Sequence, residues 1–211
     1  VRGEAGKLSV TYEATVTGRA LARPARDIEL ITYLRPSRYS QSDEVFAQAR
    51  RQFRGLAGAD LLAAVGDFVH AGTTYTPGLS RGTDSAVTTL TTGQGVCRDF
   101  AHLVIALLRA MDIPARYTAC YAPGLVPMDF HAVAEAYLDG QWHVIDATRL
   151  AQRSHLVRIA TGRDAADCAF LSFYGGNVSL TAMSVNALVV EAEPDACDPA
   201  SDDHTALVQI A

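Results

Sequence analysis

No stretch of this chain is apolar for the ~18 residues that a bilayer-crossing helix needs. The longest candidate, Leu103 to Met111, is interrupted by Arg109. The start lacks the features of a signal peptide: Val1-Arg2-Gly3-Glu4 is polar and no apolar run follows. Lysine is nearly missing, with Lys7 alone, and no run of basic residues occurs. At a net charge of −5 the chain lacks the basic face that nucleic-acid binding requires, because affinity for phosphate backbones comes largely from counterion release. Paired cysteines are missing too. Cys97, Cys120, Cys168 and Cys197 form no CxxC, and no histidine stands at zinc-finger spacing from them. A structural zinc site and a disulfide framework are therefore not expected, nor is a bound metal or other cofactor. Free thiols point to a reducing, cytoplasmic location. Neither a membrane nor a nucleic acid is an expected partner.

What is present is the balance of a globular chain. With 49% hydrophobic and 19% charged residues over 211 positions, the sequence can bury one sizeable core. Leu8, Val10, Tyr12, Ala14 and Val16 alternate with polar residues, the period of a half-buried strand, and residues 28–34 read as a second strand before Pro36. The chain thus divides into an N-terminal β segment (1–40), a core (41–193) and an acidic C-terminal tail (194–211) that is loosely ordered from about Glu193. A helix is expected from Ser42-Asp43-Glu44 to about Phe53, and another from Asp60 through Val69. Residues 71–86, rich in Gly, Thr and Ser, read as a loop. From Cys97 to Met111 apolar residues recur at three and four, predicting a buried helix that Pro114 terminates. Residues 115–122 read as a strand, 123–130 as a loop, 149–177 as mixed and 179–192 as a closing strand. Between 131–138 and 141–148, Asp139-Gly140 marks a two-residue hairpin turn.

Chemistry gathers at two of these elements. Cys97 lies in the first turn of the buried helix, where backbone N–H groups are unpaired and the helix dipole is positive. Both favour thiolate, the reactive form, and the same N–H groups can hold an oxyanion. A cysteine here is otherwise an inert core residue. The hairpin supplies the partners. With a turn at 139–140, Leu138 pairs with Gln141, Val133 faces Asp146 and His131 faces Thr148. His131, Val133, Glu135 and Tyr137 then share a face with Trp142, Val144, Asp146 and Thr148. His131 and Asp146 become diagonal neighbours, a separation of roughly 7–8 Å between backbones that an imidazole and a carboxylate can bridge. A carboxylate beside an imidazole fixes its tautomer and stabilises its cation. Taken singly, His131 reads more readily as a surface or hydrogen-bonded strand histidine and Asp146 as a strand-end cap; the joint arrangement points to the chemistry.

The remaining histidines fit less well. His143 points to the other face. His102 is five residues past Cys97, roughly 140° around the helix. His70 falls at a helix end, and His155 and His204 in irregular segments. Gln94 and Tyr75 are candidates for the oxyanion side, or simply for satisfying turn backbone and lining a loop. Arg98 and Asp99 suit local electrostatics and capping. Tyr75, Leu79, Leu125 and Met128, from the loops at 71–86 and 123–130, suggest a partly apolar groove.

The stretches GQGVCRDFAHLVIALLRAMDIPARY and DFHAVAEAYLDGQWHVIDAT resemble the core of the transglutaminase-like superfamily of bacterial cysteine proteases and acyltransferases, over roughly residues 40–190. YLRPSRYSQSD is similar to the β region that precedes this core in one bacterial subgroup. The resemblance implies an α+β, papain-like fold, with a Cys helix packed on an antiparallel sheet that carries His and Asp. It implies a Cys97–His131–Asp146 triad acting on a peptide or protein substrate. Animal transglutaminases have Gln before the Cys and Trp after it. Val96 and Arg98 stand there in this chain, so cross-linking does not carry over directly. No calcium loop of repeated acidic residues is visible. Hydrolysis of an amide through a thioester is the leading expectation. Glutamine–amine transfer and a catalytically inactive peptide-binding domain are the alternatives; arylamine acetyl transfer would need a coenzyme A site that nothing marks.

Overall fold

The computed structural model describes residues 6–18, 24–190 and 199–210. In chain order its elements are α1 (Asp27–Leu34), α2 (Phe46–Gln52), α3 (Gly58–Gly72), β1 (Thr74–Tyr75), α4 (Ala86–Thr92), β2 (Gln94–Gly95), α5 (Cys97–Ala110), β3 (Ala115–Tyr121), β4 (Phe130–Leu138), β5 (Gln141–Ile145) and β6 (Val157–Gly162). β5, β4, β3 and β6 form, in that order, an antiparallel sheet, and β1 and β2 form a short parallel pair. The architecture is the expected α+β one.

α5 is the axis of the molecule. Every residue from Asp99 to Ala110 is buried, because the sheet covers one side and α2, α3 and α4 cover the rest. Leu103, Val104, Leu107 and Leu108 are almost fully out of water, each stabilising the fold by roughly 1.5–3 kcal/mol. Under the helix the sheet presents small residues, Ala119, Ala132, Ala134 and Ala136, which let helix and strands approach closely. The opposite face of the sheet carries Cys120, Val133, Val144, Leu156 and Ile210. At the far end of α5, buried Arg109 donates to the carbonyls of Ala115 and Arg163. That pins the helix C-terminus to the start of β3 and leaves Cys97 at the opposite end of the sheet.

The β4–β5 hairpin has the expected register. Leu138 pairs with Gln141 and Glu135 with Val144, around a turn in which Asp139 and Gly140 both have positive φ (51° and 83°), the requirement of the tight turn that matches strand twist.

Several expectations fail. Residues 28–34 are helical, not a strand. Seven apolar-rich residues do not distinguish the two periods, and the local chemistry favours helix: Asp27 and Glu29 occupy the first turn and the Glu29 carboxylate accepts from the Arg26 N–H at 2.9 Å. Residues 8–17 lie in no ladder among the described residues, and Leu8, Val10 and Tyr12 stay exposed. Alternation prepares a strand, but a strand exists only against a partner edge. The same holds for 179–190; residues 191 and 192 of that expected strand lie outside the described residues. The loop at 71–86 contains β1, and its end opens α4, which was not expected. Ser85 caps α4 by accepting from the Thr88 N–H, and Gly93 closes it in a left-handed conformation. β6 was hidden in the mixed region. Part of the tail is docked rather than loose: the Val144 N–H donates to the Val208 carbonyl at 2.8 Å, and Ile210 is buried. Residues 193–198 of the tail, with Cys197, lie outside the described residues.

Candidate active site

Asp99 sets the position of Cys97. Its buried carboxylate accepts from the Val96 N–H at 2.9 Å, capping α5, and also from Ser80 Oγ and the Arg98 guanidinium. Arg98 continues to the Arg81 carbonyl at 2.8 Å, tying the 80–81 loop to the helix start. This is the capping and local electrostatic role expected of Arg98 and Asp99. Gly95 is required here because a Cβ would lie 2.6 Å from Asp99 Cβ. Cys97 itself is half-buried in the first turn.

β1 and β2 bring the second expected residue in. Their pairing sets Tyr75 opposite Gly95. Burial, aided by negative charge at Cys97, pushes the Tyr75 hydroxyl up to about 12, and a hydrogen bond from the Cys97 backbone N–H opposes this. The phenol therefore sits against the backbone that an oxyanion would use. Gln94 is exposed, and its side chain makes no hydrogen bond among the described residues.

His131 and Asp146 meet as the hairpin register requires. His131 Nε2 and Asp146 Oδ2 are 2.8 Å apart, and both side chains are 1% exposed. Burial alone would strip the proton from this imidazole. Asp146 outweighs that penalty, Cys97 adds to the effect, and the His131 pKa rises to about 10. Burial acts against the Asp146 carboxylate as well, yet His131 and Thr148 together hold its pKa below the usual value. The other ring nitrogen of His131, Nδ1, is buried and makes no close hydrogen bond. It is the atom left free for a thiol.

Thr148 was not foreseen as part of this site. Its backbone N–H (2.9 Å) and hydroxyl (2.6 Å) both donate to Asp146 Oδ1, leaving Oδ2 to His131. An Asp followed two residues later by Thr is the signature of a side-chain-closed turn, a signal already readable in Ile145-Asp146-Ala147-Thr148. His70 on α3 donates from Nδ1 to the Ala147 carbonyl at 2.9 Å and pins the same turn from outside.

The structure keeps the other histidines and Glu135 apart from this chemistry. His102 is fully buried and held neutral, with its pKa lowered to about 3 by burial; its Nε2 accepts from the Ala165 N–H. His143 pairs with Ala136, on the face opposite His131, and bonds the Leu138 carbonyl. Glu135 shares the face of His131 but is engaged by Arg116, Thr118 and Arg158. Among the described residues, no group of three or more His, Cys, Asp or Glu could hold a metal ion, and no helix is long and apolar enough to cross a membrane.

A buried Cys helix laid across an antiparallel sheet that presents His and Asp beyond its end defines a class. Residues 47–147 match the model of the transglutaminase-like superfamily. The chain is similar to a proposed cysteine protease from Cytophaga hutchinsonii, whose crystal structure superposes with a TM-score of 0.70 at 41% identity, over 79% of this chain and 61% of that one. It is 32% identical over 111 residues to an uncharacterized protein of Mycobacterium leprae, spanning 48% of this chain and 40% of that protein. The periplasmic domain of TgpA from Pseudomonas aeruginosa is also similar, at 26% identity and a TM-score of 0.49, over 60% of this chain and 49% of that one. The chain therefore spans between 40% and 61% of the length of these relatives.

Proposed function

We propose that this chain is a thiol hydrolase of peptide or protein amides, with Cys97, His131 and Asp146 as its catalytic triad. The observation that carries this reading is the buried His131–Asp146 pair with Nδ1 unoccupied at the Cys97 end of the sheet. The proton of Cys97 resides on His131, which Asp146 holds as the imidazolium, and the sulfur attacks the amide carbonyl. The new oxyanion takes hydrogen bonds from the backbone N–H of Cys97 and from the Tyr75 hydroxyl. When the C–N bond breaks, His131 returns the proton to the departing amine and a thioester remains. Water, deprotonated by the same imidazole, attacks the thioester and releases the acid and the thiol. Asp146, fixed by Thr148, holds the imidazole and balances its charge throughout.

Alkylation tests the thiol. Iodoacetamide at pH 7, read by peptide mass spectrometry, is expected to label Cys97 well before Cys120 and Cys168. Burial raises the Cys120 thiol far above its usual pKa and raises Cys168 to about 11. Equal labelling of Cys97 and Cys168 would defeat the proposal. Incorporation of a fluorescent amine into casein, in preference to cleavage, would instead assign the second half-reaction to an amine acceptor.

A further inference from the structure

The face of the sheet beneath α5 changes character where the helix ends. Along β3 and β4 the paired residues under the helix are small, with Ala119 opposite Ala132. The next pair on that face is Tyr121 opposite Phe130. Because Arg109 pins the other end of α5 to the start of β3, this aromatic pair lies at the Cys97 end, just beyond the helix tip. Phe130 is also the residue immediately before His131. Its ring packs against Tyr121 at 5.7 Å and against Phe170 at 5.3 Å between centroids, both tilted. Phe170 is 60% exposed despite being held in this cluster.

Phe130 packs against both the Tyr121 and Phe170 rings, and with Phe170 largely in water the three make an apolar wall that the fold does not itself cover. Its place just beyond the Cys97 tip of α5, on the sheet face that the helix covers, identifies the occupant. We propose that Tyr121, Phe130 and Phe170 form a subsite for a large apolar side chain, aromatic above all, of the peptide beside the reacting amide. This rests on the thiol hydrolase reading and extends it to specificity. Rings prefer offset and tilted packing over perfect stacking, and the observed tilts leave edges free to receive a further ring. A substrate carrying Phe buries that ring against Phe170, whereas one carrying Ala leaves the wall wet.

Binding measured without turnover separates this proposal from the chemistry it rests on. Fluorescein-labelled Gly-Gly-Phe-Gly-Gly and Gly-Gly-Ala-Gly-Gly are titrated with Cys97→Ala protein and followed by fluorescence anisotropy. The Phe peptide is expected to bind about tenfold more tightly, the effect of burying one aromatic side chain. Adding Phe170→Ala should abolish that preference while leaving the Ala peptide unchanged; since Phe170 is largely exposed, this substitution does not threaten the fold. Equal binding of the two peptides, or a loss from Phe170→Ala that is the same for both, overturns the subsite. Selective alkylation of Cys97 reports independently on the thiol, so the two readings can fail separately.

Discussion

His131 and His102 are both buried, at 2% and 0% exposure, and their protons go opposite ways. What differs is the neighbour. His102 meets backbone and the Tyr39 and Tyr117 rings, so burial wins and it stays neutral. His131 meets Asp146, and the cation survives burial. The linkage follows from the shifts. The His131 pKa is raised from 6.5 to about 10, so its contribution to stability is complete below pH ~6.5 and is lost as pH rises through about 10. The Asp146 pKa is lowered, so its contribution is present above its usual value of 3.8 and is lost as pH falls. The pair therefore stabilises most between about pH 4 and 6.5. Asp146→Asn should cost about 3 kcal/mol in that window, the scale for removing one partner of a buried pair. The deficit should shrink toward pH 10. Urea unfolding of both proteins across pH checks this, and a deficit independent of pH would mean that the imidazole is neutral in the fold.

At the scale of elements, the Cys97 turn depends on a glycine with no room for a side chain. Gly95→Ala would place a methyl 2.6 Å from Asp99 Cβ and 2.9 Å from Oδ2, against the group that caps α5. The expected cost is about 1–3 kcal/mol, the range for overpacking, with slower alkylation of Cys97 as the turn shifts. Gly82→Ala, whose new methyl would meet nothing within 4 Å, serves as the control and should leave both unchanged. The elements that carry the chemistry were legible because their signals are local and strict. Asp139-Gly140 marks the hairpin register, and that register, continued by the turn that Thr148 closes on Asp146 after β5 ends at Ile145, sets His131 near Asp146. The three-four spacing after Cys97 has no alternative reading as a strand. α4 was illegible because Ala86–Thr92 contains four threonines, poor helix formers, and is held by its caps instead. β6 was illegible because its pairing comes from β3, 36 or more residues back in the chain, and is broken by a bulge between Ala119 and Cys120. The aromatic wall was also beyond the sequence, since Phe170 lies 40 residues from Phe130 and nothing local links them.

Across the whole molecule, Arg153 makes most of the side-chain bonds that join the C-terminal residues to the sheet, with Arg158 on the Ile210 carbonyl and Gln209 on Gln141 adding to them. Arg153 has five guanidinium N–H donors and makes five bonds: two to the Asp202 carboxylate, and one each to the carbonyls of Val144, Ala206 and Asp203. The Arg153 and Asp202 side chains are only 4% and 7% exposed, so this ion pair is largely out of water. Ile210 and the Val144–Val208 hydrogen bond complete the attachment on the β5 edge, two residues from Asp146. Arg153→Met keeps much of the volume but leaves the Asp202 carboxylate with the backbone N–H of residue 153 in place of its guanidinium partner, and removes the guanidinium donor from the Val144, Ala206 and Asp203 carbonyls. The expected loss is about 3–5 kcal/mol, as for any buried ion pair broken from one side. Residues 202–210 should also detach, because the apolar contribution of Ile210 does not offset those unmet groups. Amide hydrogen exchange reads this at one atom: protection of the Val144 N–H, which bonds the Val208 carbonyl, should fall to that of an open edge strand while amides in α5 keep theirs. Arg153→Lys should fail to restore it, since an ammonium cannot span a carboxylate and three carbonyls at once. Unchanged protection at Val144 in the Met variant would show that the remaining contacts hold this segment, and that the guanidinium is dispensable to the closure of the fold behind Asp146.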